Sequence, residues 1–194
     1  MTNIELRISQ IQIWMIKNKL KLNGPKTEFM ILGKKQMLDF EKPTLNISNS
    51  KIVPSDEVTN LGVIFDNHLT MNSHIDTLCR RMFVVIRSIS SNRDFLTDKV
   101  TAQLMISLVL SKMDYCNSLL AGLPDCQIHK LQRVQNCAAK VCFRKRKYDH
   151  ATPLLNSLHW LPVKERIDYK IATICYKTIT NSALGYMGYF RKAN

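Results

Sequence analysis

The sequence predicts an α+β chain: a small antiparallel β-sheet with an N-terminal helix over residues 1–68, followed by an all-helical region over residues 69–194. Two changes along the chain carry that expectation. Between residues 45 and 65 the apolar residues fall in short alternating runs divided by Asn, Ser and Gly, as strands require. From residue 70 onward they recur at three- and four-residue spacing, as helices require. Charge changes with them. Residues 1–66 hold 9 Lys+Arg and 7 Asp+Glu, a net of +2, whereas residues 67–194 hold 19 and 8, a net of +11. With 194 residues and 45% hydrophobic content, there is material for one domain or two small ones.

The first helix is signalled by Thr2-Asn3-Ile4-Glu5, which reads as a capping box. Ile4, Ile8, Ile11 and Met15 then form one face, widened by Ile13, Trp14 and Ile16. That much apolar surface calls for a cover, and where none is supplied the helix over residues 4–20 favours self-association. The run ends at Leu22, because Asn23-Gly24-Pro25 cannot continue a helix. Phe29, Met30, Ile31 and Leu32 suit a buried strand over residues 28–32, with Lys26 and Thr27 held at its mouth by a stiff turn. A cation in that place is positioned to meet a phosphate.

Leu45-Asn46-Ile47 and Lys51-Ile52-Val53, parted by Ser48-Asn49-Ser50, predict a hairpin. A further strand is expected over residues 58–65, with Leu61-Gly62 inside it; a glycine there marks a bulge or a close backbone approach. Ile75, Leu78, Cys79, Met82, Ile86 and Ile89 form the apolar face of the next helix, whose other sides carry Arg80, Arg81 and Arg87. Thr97-Asp98 caps a helix with Val100, Leu104 and Leu108 flanked by Met105, Ile106, Val109 and Leu110, apolar nearly all round and therefore expected to be core. After a short helical segment at residues 113–120, Gly122-Leu123-Pro124 breaks the chain.

A further helix turns Ile128, Leu131, Val134 or Gln135, Ala138 and Val141 inward and Lys130, Arg133 and Lys140 outward. It runs into Arg144-Lys145-Arg146-Lys147, more cations than a helix dipole calls for. Three readings of that run stand side by side: phosphate contacts, a nuclear-import signal, or a solvated loop. Thr152-Pro153 opens one more turn of helix. The last helix follows Trp160, an apolar anchor, and Pro162, with Val163, Ile167, Ile171, Ile174 and Thr178 along one face. Residues 181–194 are expected to fray. The six cysteines include no Cys-x-x-Cys pair, and His150 and His159 lack partners at metal-site spacing, so no metal site is expected and the thiols are expected to pack, reduced, as small hydrophobes. No leader peptide or membrane-spanning run is read, which points to an intracellular chain of nucleus or cytoplasm.

Four stretches in order carry a family resemblance. They are W-x-x-x-N-x-L-x-L-N-x-x-K-T-E from Trp14, NLGVIFD at residues 60–66, SKMDYCNSLLAGLP at residues 111–124, and LHWLPVKERI at residues 158–167. Together they resemble the region after the catalytic aspartates in reverse transcriptases of non-LTR (LINE-type) retrotransposons, most closely the jockey-like branch. The resemblance implies that residues 1–68 correspond to the end of a palm-like subdomain and the helical region to a thumb. It implies that Leu61 and Gly62 belong to a primer-grip-like hairpin, and that Lys26 lies near the incoming triphosphate when a palm is present. The helix bearing Arg80, Arg81 and Arg87 would lie along template–primer nucleic acid, the partner expected also for Lys130, Arg133, Lys140 and residues 144–147.

A complete family member uses two magnesium ions held by aspartates. This sequence has no Tyr-x-Asp-Asp, Asp56 and Glu57 are adjacent, and the other acids lack a paired partner at a strand end. The chain is therefore expected to bind no cofactor and to lack polymerase activity on its own. Charge without the resemblance is equally compatible with a merely basic surface. The alternatives to residual nucleic-acid binding are a non-catalytic helical interaction module and a functionless element remnant.

Overall fold

The computed structural model describes residues 3–33, 43–47 and 50–180. The chain divides into two compact units between Ser73 and His74, each described in turn. Thr2 of the expected capping box, the turn residues 48–49 and the expected frayed end at 181–194 lie outside the described residues.

In the first unit, α1 spans Asn3–Lys17 and buries none of its residues. It stops five residues before the apolar run does. Lys19 enters the left-handed region at φ 57, so that Leu20 N donates to Met15 O at 2.8 Å and Lys19 N to Ile16 O at 3.0 Å. That pair of bonds is a Schellman ending, here built without glycine. Gly24–Lys26 then forms a single 3₁₀ turn. The expected strand at 28–32 is not a strand. Residues 27–33 make isolated cross-bonds, Ser55 N to Phe29 O at 2.7 Å and Gly33 N to Asn67 O at 3.1 Å, and two such bonds do not make a ladder.

Among the described residues the β content is two antiparallel hairpins of two strands each, which with the helices makes the expected α+β fold. β1 (Leu45–Ile47) pairs with β2 (Ser50–Ile52), Leu45 opposite Ile52. Leu45 and Ile47 face inward at 5% and 4% exposure, and Asn46 between them donates its backbone N to Glu5 Oε1 of α1 at 3.2 Å. β3 (Glu57–Asn60) pairs with β4 (Val63–Asp66), ending with Asn60 opposite Val63. Leu61 and Gly62 are therefore the two-residue turn, not a bulge within one strand. Their φ angles of 49 and 85 are the paired positive values that a type I′ turn demands.

Asp66 organises the exit from β4. Its Oδ1 accepts from His68 N at 3.1 Å and Thr70 N at 2.9 Å, and its Oδ2 from Thr70 Oγ1 at 3.1 Å and Met71 N at 2.7 Å. Partial burial alone would raise the carboxyl's pKa. The donors from Thr70, Met71 and His68 outweigh it and hold the group below its ordinary value. Those bonds support Leu69 and Met71, which sit at φ 55 and 58, a conformation that costs a non-glycine residue about 1 kcal/mol or more.

The second unit is helical. α2 (Asn72–Ser91) buries Ile75, Cys79, Met82, Ile86 and Ile89 of the stripe expected from the sequence, together with His74, and leaves Leu78 half-buried. Burial, then the nearby Arg81 charge, pushes the His74 imidazole below its ordinary pKa. Arg93 follows in a 3₁₀ turn and is itself buried, at 6% exposure.

α3 (Asp98–Met105) begins with Thr97 Oγ1 accepting from Val100 N at 3.3 Å, as expected. It widens into a π-helical stretch, Ile106–Leu110, and closes as α4, Ser111–Asp114. This rod is not buried all round. Thr101, Met105, Val109, Leu110 and Met113 face the core, while Val100, Ile106 and Leu108 stay 40%, 48% and 42% exposed. The buried line runs one residue ahead of the apolar line read from the sequence.

Cys116 turns the chain at φ 54 into a 3₁₀ turn, Asn117–Leu120. α5 (Asp125–Cys142) buries Leu131, Val134, Gln135, Ala138, Ala139 and Cys142. α6 (Thr152–Ser157) leads to the turn holding Trp160, which is 6% exposed, and α7 (Val163–Ile179) buries Val163 and Ile167. α5 and α6 also end in glycine-free Schellman motifs, with Arg144 and His159 as the left-handed residues. The bonds are Lys145 N to Lys140 O at 2.9 Å and Trp160 N to Leu155 O at 2.9 Å.

Two polar links fix the last helix. Arg166 Nε donates to Asp114 Oδ1 at 2.8 Å and its other branch reaches Oδ2. Buried Gln135 donates to Leu161 O at 2.8 Å, while Gln132 Oε1 accepts from Val163 N at 2.8 Å. Gln132 thereby satisfies one of the amides that the start of a helix leaves open. Among the described residues no helix is long and apolar enough to cross a membrane.

Candidate nucleic-acid interface

The basic residues of the second unit are not spread evenly. α2 and α5 leave between them a groove in two continuous parts of about 630 and 390 Å³, with Phe83 and Arg133 lining both. Arg80 stands on the α2 wall. Lys130, Arg133 and Lys140 stand along α5, and Lys145 and Lys147 close one end. One acid, Asp76, is among the lining residues. Six cations and one carboxylate around one trench make a net positive local field.

Helix geometry explains the placement. Arg80 and Phe83 are three apart on α2, Lys130 and Arg133 three apart on α5, and Lys140 seven beyond Arg133, so each set shares a face. Asp76, one turn before Arg80, holds Lys130 Nζ at 2.7 Å across the groove. Arg80 is steadied on its own helix by Thr77 Oγ1 at 3.1 Å. Lys140 Nζ donates to Lys147 O at 2.6 Å, which ties the loop after α5 to the groove wall.

The run at residues 144–147 is divided by the Schellman ending. Arg144 points back, pairing with Asp94 at 3.1 Å and donating to Arg93 O at 3.2 Å. Lys145 and Lys147 reach the groove, and Lys147 Nζ also lies 5.8 Å from the centre of the Tyr148 ring. Arg146 is exposed, its amide donating to Asp149 Oδ2 at 2.6 Å. Arg81 and Arg87 are exposed on α2 but do not line the groove. Lys26 and the hairpin tip Leu61-Gly62 belong to the first unit, both exposed, with Leu61 at 82%.

Sequence reasoning missed Phe83, Asp76 and Asp94. Phe83 and Asp76 carry a local signal, since they stand one turn to either side of Arg80. Asp94 has none, because its partner is 50 residues away. The sequence also misjudged the cysteines. Burial pushes Cys79 and Cys142 up to about 11 and raises Cys137, which keeps these thiols protonated at neutral pH, but Cys116, Cys126 and Cys175 are exposed rather than packed.

Among the described residues no group of three or more His, Cys, Asp or Glu is placed to hold a metal ion. Comparison with protein-family models, with curated proteins and with solved structures yields no match.

Proposed function

We propose that the chain binds nucleic acid without sequence preference along the α2–α5 groove, as the thumb-like part of the retrotransposon reverse transcriptases that its motifs resemble. The supporting observation is the convergence of Arg80, Lys130, Arg133, Lys140, Lys145 and Lys147 from three segments onto one trench. Lysine and arginine there meet phosphate oxygens and release condensed counterions, a sequence-independent source of affinity. Template–primer nucleic acid is the partner, an intracellular one, and nucleotidyl transfer itself is not assigned to these residues.

A salt titration tests this. Affinity for a mixed-sequence oligonucleotide should fall with salt at a log–log slope of about −0.7 to −0.9 per phosphate contact. Arg133→Glu with Lys140→Glu should flatten that slope, and Lys26→Ala should leave it unchanged. Affinity and slope equal to those of an unrelated protein of matched charge would defeat the reading.

A second reading, a protein-interaction module, is favoured by α1, where Ile4, Trp14 and Ile16 are 53%, 59% and 72% exposed. It expects self-association that persists at high salt in a sedimentation experiment, whereas electrostatic association weakens.

A further inference from the structure

The groove holds something that phosphate recognition has no use for. Phe83 sits at the junction of its two parts and lines both, with Arg80 one turn before it on the same helix and Arg133 on the facing wall. We infer that the groove takes an unpaired strand, with Phe83 as the platform on which one base stacks. This inference rests on the nucleic-acid reading above and narrows it to a substrate class.

The argument is one of shape and chemistry. Cations stand on both walls, Arg80 on α2 and Arg133 and Lys140 on α5, with Lys145 and Lys147 at one end. A strand lying between the walls meets positive charge on each side and the Phe83 side chain on the α2 wall. A duplex is convex, and its bases are stacked and paired, so a ring lining a groove between two helices has no free base face to meet. An unpaired base has a free π-face, and stacking on an aromatic side chain tolerates any sequence. The α5 cations from Lys130 to Lys140 span about 15 Å at 1.5 Å per residue.

The test compares the full chain with its Phe83→Leu and Phe83→Trp variants. Fluorescence anisotropy is read on a labelled mixed-sequence single strand and on the same sequence as a blunt duplex. The wild type should bind the single strand more tightly. Phe83→Leu should lose about tenfold on the single strand, the size of one base–aromatic stack, with duplex affinity and both salt slopes unchanged. Phe83→Trp keeps the π-face and should retain the preference. Equal losses on strand and duplex, or no loss in Phe83→Leu, would overturn the inference while leaving the groove as a phosphate-binding surface. Binding of both probes no tighter than by a charge-matched control would overturn the groove reading and this inference together. Thermal unfolding of each variant followed by circular dichroism checks the helical unit. A variant that melts early is replaced by Phe83→Met, which keeps apolar bulk without a ring and is held to the same outcomes.

Discussion

Arg166 grips Asp114 with both branches of its guanidinium, Nε standing 2.8 Å from Oδ1, across 52 residues of sequence. The pair joins two of the stretches on which the family resemblance rests, residues 111–124 and 158–167. Both side chains are largely withdrawn from water, at 18% and 33% exposure. For these two residues, a structural role in holding α7 against the end of the α3–α4 rod accounts for the pairing. A double-mutant cycle with Arg166→Met and Asp114→Asn should give a coupling of about 1–2 kcal/mol in denaturant unfolding. Arg166→Lys should recover less than half of it, because an ammonium cannot make the fork. A coupling near zero would reduce the pair to a surface contact.

Among the described residues, Arg93 is expected to be the cation most sensitive to substitution. Its buried guanidinium donates to Val141 O at 3.0 Å, Cys142 O at 2.8 Å, Leu96 O and the Asp98 carboxylate. It closes the C-terminal end of α5, whose carbonyls have no intrahelical partner. Arg93→Ala should cost about 3 kcal/mol, leaving buried acceptors unpaired. Arg81→Ala, an exposed control, should shift the denaturation midpoint little.

Asp66 gives the loop after β4 a dependence on acid. Its folded pKa lies below the ordinary 3.8, so the ionised form is the one that favours folding. The contribution is fully present above that value and is lost as pH falls through the lower, folded value. Amide shifts of Thr70 and Met71 should therefore move together as pH falls below the ordinary 3.8 of a free aspartate. In Asp66→Asn the shared titration should vanish. An unchanged titration would mean that another group reports there.

Asp76 works against the groove it lines. By holding Lys130 at 2.7 Å it screens one of the six cations. Asp76→Asn should tighten oligonucleotide binding and steepen the log–log salt slope by about 0.7 to 0.9, the equivalent of one phosphate contact. Weaker binding would instead assign the aspartate a positioning role.

Much of the second unit is legible in the sequence because amphipathic helices declare their buried faces. The α2 stripe, the Thr97 cap, Trp160 and the Val163–Ile167 edge of α7 all lie where spacing puts them. Helix endings were legible only where glycine or proline marks them. Lys19, Arg144 and His159 take the left-handed position that glycine usually fills, and side-chain type gives no warning of that. The same blindness hid Leu61-Gly62, where pairing on both sides turns an expected strand into a hairpin tip. As for the groove, its cations were individually visible in the sequence. Which of them share a trench depends on how α2 meets α5, a relation absent from either helix alone.

The wide turn at Ile106–Leu110 also sets which changes of length the chain can absorb. An α-helix advances about 100° per residue, so positions four apart drift round its surface. Thr101, Met105, Val109 and Met113 are each four apart, yet all stay buried, because the π stretch winds more slowly and takes up the drift. Removing one residue between 106 and 109 and letting the stretch tighten to α would return Met113 to within a few tens of degrees of its present bearing. Elsewhere in the rod the same deletion swings everything downstream by about 100°. One residue fewer at that turn leaves Met113 facing the core, whereas one fewer in the α-helical part, with the wide turn kept, does not.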